Sequence, residues 1–206
     1  MPDHAVLAEE VPVGLDLFTS AVRLNAPSTR LIQVDPKARE LASLWLFSPP
    51  EDKPLSNLDR RLLAMLPEGF RTTDPFPDRS YNQAEYLLDP AAYRKLSDWP
   101  KRELSLPYRI IQGDRRFADR GNLGVPWRCS TTSFLAEAAA TIDALDVAAA
   151  RQEFSVVEMS TLGVYKVHET EPDDEAFNRV LGRLRQLAHY YHQLVALDLD
   201  LIIAVE

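Results

Sequence analysis

Apolar positions come in short runs broken by turn signals in the first half of the chain, and in longer helical periods in the second. "TRLIQV" (residues 29–34) has the apolar, β-branched character of a short strand. Asp35-Pro36 follows. A side-chain acceptor at the N-cap with proline at the first helical position predicts a helix over about residues 36–46. "SPPEDKP" ends it, and Ser56 is placed to cap a second helix, "NLDRRLLAML", that stops at Pro67-Glu68-Gly69. After the loop "FRTTDPFPD", "YNQAEYLL" predicts a short helix, and Asp89-Pro90 repeats the cap signal before "AAYRKL". "LPYRIIQG" reads as a strand ending at Gly113.

Beyond the loop "DRRFADRGNLGVPWRC", Thr131 or Thr132 can cap a helix to about Leu145, and Asp146 can cap the next, "VAAARQEF". "GVYKV" reads as a short extended piece. Glu171-Pro172-Asp173-Asp174 starts a long last helix with acidic residues at its positive end. At ~100° per residue, Phe177, Val180, Leu181, Leu184, Ala188, Tyr191 and Val195 form one apolar stripe along it. "LDLDLIIAV" then gives way to continuous apolar residues, as in a strand buried on both faces.

Strands and helices mix without regular βαβ alternation, so the fold class is α+β: a single domain with several helices around a small mixed sheet, closed by a buried C-terminal strand. Residues 1–27 read as an appendage packed on the domain of residues 28–206, with only "VGLDLFTSAVRL" apolar enough to pack.

Composition narrows the function classes. Net charge is −8 over 206 residues, which argues against a nucleic-acid or anionic-membrane binder. A single cysteine, Cys129, cannot form an internal disulfide. The first residues lack a basic n-region and an unbroken apolar stretch, so the expectation is a cytoplasmic protein without a membrane span. Charge is uneven: nine basic against four acidic residues lie between Arg94 and Arg128, a local +5 that leaves −13 for the rest.

Three constellations could carry chemistry. His189 and His192 are three residues apart and share a helix face, which suits a metal pair. Two imidazoles are too few for zinc, however. His189 falls roughly 150° from the centre of the stripe and His192 roughly 90°, so a solvated helix back explains them. The arginine-rich loop with Gly121 and Gly124, entering a helix start at residues 131–133, could instead receive a phosphate or carboxylate. Arg128, Trp127, Arg120 and the N–H groups after Thr131 would hold it, with Tyr81 or Glu85 nearby. The glycines follow neither P-loop nor dinucleotide spacing, so no cofactor is expected. Cys129 lies beside Arg128 near a helix start, a setting that lowers a thiol pKa, yet a lone cysteine is more commonly a buried packing residue.

Four stretches carry a family likeness: "TRLIQVDPKARELASL", "PWRCSTTSFLAEAAATIDAL", "FSVVEMSTLGVYK" and "LRQLAHYYHQLVALDLDLIIAV". Together they resemble the YfbM-like family of small bacterial proteins, a domain family of unknown function. Pro126, Arg128 and Thr131 stand at the places of the family's P-x-R-x-x-T segment. Phe154, Met159, Val164 and Tyr165 fit its Phe…Met…Ile-Tyr stretch, and Tyr190-Tyr191 its aromatic pair. Where relatives carry tryptophan and histidine in a short helix, this chain has Tyr81 and Glu85. The resemblance implies a fold rather than a chemistry.

The reading is therefore a non-enzymatic protein-interaction module. Its acidic surface would bind a basic partner, as an immunity protein or antitoxin does. The alternative is a small-molecule enzyme or binding protein with an arginine-lined anion site at residues 115–133.

Overall fold

The computed structural model describes residues 16–47, 57, 72–95, 102–119 and 125–205. In chain order they form β1 (Leu17–Val22), α1 (Pro27–Val34), α2 (Pro36–Phe47) and β2 (Thr72–Thr73). Next come α3 (Tyr81–Leu88), α4 (Pro90–Lys95), α5 (Leu106–Gln112), β3 (Arg115–Ala118) and β4 (Trp127–Ser130). The last elements are α6 (Thr132–Asp143), α7 (Val147–Glu153), α8 (Val156–Thr161), α9 (Asp173–Ala196) and β5 (Asp200–Val205).

The α+β class holds. The five strands form one sheet in the order β2-β1-β5-β4-β3. Every pairing among them is antiparallel, so the sheet is not the mixed one expected. The two central strands pair along their whole length, from Leu17 opposite Val205 to Val22 opposite Asp200. The stretch read as part of an appendage thus supplies an interior strand.

β5 sorts its side chains between two cores, as the two-residue period of a strand requires. Leu201, Ile203 and Val205 enter a core with α3 and α5–α9, while Ile202 and Ala204 enter a second with Val22, Ile32, Ala42, Phe117, Trp127 and Cys129. Helices therefore cover both faces, which explains the unbroken apolar run in β5. The stripe expected on α9 is buried from Phe177 through Leu184 and Ala188 to Tyr191, with Val195 half-buried at its end. The Tyr191 hydroxyl donates to the Ile110 carbonyl at 2.7 Å, tying α9 to α5. Each large apolar side chain fully buried here contributes roughly 1.5–3 kcal/mol.

The capping signals are borne out. Asp35 accepts from Lys37 N–H at 2.9 Å, Asp89 from Ala92 N–H at 2.7 Å, and Asp146 from the Ala148 and Ala149 N–H groups at 3.0 Å each. Thr131 caps α6 by accepting from Phe134 N–H at 3.4 Å. Of the helix expected after Ser56, only Asn57 lies within the described residues, and it is helical.

Two expected strands are helices. "TRLIQV" belongs to α1, begun by Pro27 and burying Ser28, Thr29 and Ile32 on one side. "LPYRIIQ" is α5, where the Ser105 hydroxyl accepts from Tyr108 N–H at 3.3 Å and Pro107 takes an early helical position. Gly113 ends it with φ +100°, a conformation that favours glycine. Conversely, the arginine-rich loop contains β3 and β4, and the segment of "GVYKV" holds turns rather than a strand.

Candidate functional site

α3 buries every residue from Tyr81 to Leu87, polar ones included. Glu85 is 1% exposed, and a carboxylate so placed requires donors on both oxygens. Arg102 supplies two to Oε2, from Nε at 2.9 Å and Nη2 at 2.7 Å. Asn82 Nδ2 donates to Oε1 at 3.0 Å, and Gln112 Nε2 donates to the same oxygen. Burial raises the Glu85 carboxyl above the usual carboxylate range, with Arg102, Gln112 and Asn82 opposing the shift. The Arg102 guanidinium also lies 4.6 Å from the centre of the Tyr93 ring. Tyr81 packs its ring 5.9 Å from that of Tyr165.

A second buried ion pair stands beside this one. Arg128, 5% exposed, donates from Nε to the Gly113 carbonyl at 3.0 Å, from Nη1 to Glu103 at 3.1 Å and from Nη2 to the Asp114 carbonyl at 3.3 Å. Its guanidinium sits 5.0 Å from the centre of the Tyr108 ring. Burial pushes the Tyr108 hydroxyl up to about 12, and it feels the charges of Arg128, Glu103, Glu85 and Arg102 together. Tyr108 therefore joins the two pairs. Glu85 and Arg128, 43 positions apart in sequence, both lie within electrostatic reach of its hydroxyl.

The start of α6 carries its own anion. Asp200 Oδ1 accepts from Thr132 N–H at 2.9 Å and from the Thr132 hydroxyl at 3.1 Å, while Oδ2 accepts from Leu24 N–H at 2.8 Å. The carboxylate that a ligand was expected to bring to this helix end comes from β5. Trp127 points to the other core, since neighbours on a strand face opposite ways. Thr131 is held as a cap and exchanges a hydrogen bond with Ser133 at 3.0 Å. Arg120 lies outside the described residues.

The sequence model described as "Domain of unknown function (DUF1877)" matches residues 79–204. The chain belongs to that family. The DUF1877 span takes in α3 to β5, hence both ion pairs, but not β1, an interior strand of the sheet. A solved structure titled as a protein of unknown function, YfbM from Escherichia coli, superposes with a TM-score of 0.58 at 12% identity. The alignment covers 93% of this chain and 99% of that one, a likeness of fold. No protein of curated function matches the chain.

His189 and His192 of this DUF1877 member gather no set of metal ligands among the described residues. His192 Nε2 lies 2.8 Å from Asp143 Oδ2, and His189 Nε2 lies 3.0 Å from Gln193 Nε2, both at the exposed surface. Among the described residues no three histidine, cysteine, aspartate or glutamate side chains come together as a metal site needs. Asp198 pairs with Arg23 at 3.3 Å. Cys129 is buried, and burial raises its thiol pKa, with Arg115 opposing. No helix among the described residues is long and apolar enough to cross a membrane.

Sequence reasoning missed Arg102, Gln112, Asn82, Glu103 and Asp200 as the partners that engage the candidate residues. Arg102 and Gln112 stand 17 and 27 positions from Glu85, beyond any helical or strand period. Only Asn82, three positions before Glu85 on one helix face, had a local signal.

Proposed function

We propose that this chain is a protein-interaction module without chemistry of its own, whose acidic flank receives a basic protein. Neutralising a basic toxin, as immunity proteins and antitoxins do, is one concrete form. The observation that carries the reading is at the start of α9. Glu169, Glu171, Asp173, Asp174 and Glu175 crowd seven positions. Among the described residues Arg179 pairs with Glu171 at 2.8 Å, and Arg151 donates to Asp174 at 2.7 Å. The surplus is negative.

This stretch borders exposed apolar surface on and after α8. Val157 is 70% exposed and Leu162 37%. The Ser160 hydroxyl donates to Glu169 at 2.6 Å and Val156 N–H donates to Asp173 at 2.8 Å, fixing the carboxylates beside them. Apolar contacts rimmed by one sign of charge suit a partner of the opposite sign.

Co-expression with the products of neighbouring genes, followed by purification and calorimetry, tests the reading. The expected result is a complex of fixed stoichiometry that weakens as salt rises. Glu169→Lys with Glu175→Lys should slow its association by roughly tenfold or more. A partner bound equally well after that charge reversal, or no partner at all, defeats the proposal.

A further inference from the structure

Between the α3–α4 junction and the α6–α7 junction lies a cavity of about 260 Å³. Leu87, Leu145 and Ala150 give it apolar walls, and Asp89, Asp146 and Glu153 also line it. None of its lining residues is basic. Asp89 and Asp146 use Oδ1 to cap helices, which leaves their charge in place and Oδ2 of each without a partner among the described residues. Glu153 engages Arg94 through Oε2 at 3.0 Å.

We propose that this cavity receives one lysine or arginine side chain of the basic partner, an inference that rests on the function proposed above. Three features converge on that occupant. The volume falls below the roughly 300–1,000 Å³ of pockets that hold small molecules, and it suits a single side chain. Long basic side chains lay an aliphatic stem along apolar walls while the charged head stays at the wet rim. Oδ2 of Asp89 and of Asp146 lines the rim without a partner among the described residues and can meet that head. α7 also reaches the acidic start of α9 directly, because Arg151 donates to Asp174. One partner could therefore cover both.

The test is a nuclear magnetic resonance titration of the full chain with acetyl-Ala-Lys-Ala-amide and its norleucine and glutamate counterparts. The lysine peptide should give saturable amide shifts at Leu87, Leu145, Ala149 and Glu153. The norleucine peptide should bind roughly tenfold more weakly, one power of ten in affinity, and the glutamate peptide should leave these amides unmoved. Asp89→Asn with Asp146→Asn keeps both cap acceptors and should erase the preference for lysine. Ala149→Phe, at an exposed helix position, should fill the cavity and abolish the shifts. Equal binding of the lysine and norleucine peptides, shifts confined to residues 169–175, or no saturable shifts each overturn the inference. If Ala149→Phe leaves the protein partner bound while Glu169→Lys/Glu175→Lys releases it, the cavity inference alone fails. If the charge reversal leaves it bound, the interaction reading fails first.

Discussion

Asp200 holds Thr132 by both backbone and side chain, at 2.9 Å and 3.1 Å, while its other oxygen holds Leu24 N–H at 2.8 Å. One carboxylate on β5 thus fixes the start of α6 and the exit of β1. Asp200→Ala removes three hydrogen bonds, two of them to backbone donors. It should lower stability by about 1–3 kcal/mol, the penalty for leaving such donors unmet. Urea denaturation should show a lower midpoint at an unchanged slope.

The Glu85–Arg102 pair has no such tolerance for losing one member. Arg102→Met strands a buried carboxylate and should cost about 3–5 kcal/mol. Glu85→Gln combined with Arg102→Met should recover part of that loss, because the uncompensated charge is gone. A double-mutant cycle by thermal denaturation measures the coupling.

Acid stability has a named source in Glu158. The Arg94 guanidinium and the Tyr86 hydroxyl hold its carboxyl well below the usual range, from 4.5 down to about 2. A depressed acid contributes stability above its unfolded pKa and loses it as pH falls through the folded value. Stability should therefore decline between those two values, and the decline should be shallower in Glu158→Gln. Glu85 acts in the opposite sense. Its raised pKa favours the folded state at low pH and withdraws that support as pH rises past the ordinary carboxylate range. Denaturation midpoints across a pH series should show Glu85→Gln and Glu158→Gln altering the profile in opposite directions.

Gly113 is the tightest point of the buried pair at Arg128. With φ +100°, a Cβ there would come 2.9 Å from Arg128 Cβ and 3.3 Å from Cys129 N. Gly113→Ala should cost about 1–3 kcal/mol from backbone strain alone, with the crowding of Arg128 added. A lower melting temperature checks it, and Gly182→Ala, which meets nothing within 4 Å, serves as the control.

These sites differ in how far the sequence announces them. Asp35, Thr131 and Asp146 act within three residues of themselves, so their caps are visible in local spacing. β5 is visible because a run buried on both faces cannot be polar. "TRLIQV" and "LPYRIIQ" mislead because β-branched content suggests strand, while Pro27, Ser105 and Pro107 start helices that tertiary burial then sustains. β3 and β4 hide in a charged stretch because Arg115 and Arg116 are exposed on an edge strand and Arg128 is buried against Glu103. Glu85 and Arg128 are charged and buried, and their partners lie across the fold. No period in the chain points from Glu85 to Arg102.

The pairing of β1 with β5 sets the order in which this protein can be finished. The first and last described strands lie side by side at the centre of the sheet, with β2 on one flank and β4 and β3 on the other. Until residues 200–205 have left the ribosome, the described strands can pair only as β1 with β2 and β3 with β4, each pair with an open edge. Those edges can join to other strands, and the contact that closes them spans nearly the whole chain, the slowest kind to form. A ribosome stalled just short of β5 would hold a chain with most of its helices and no completed sheet.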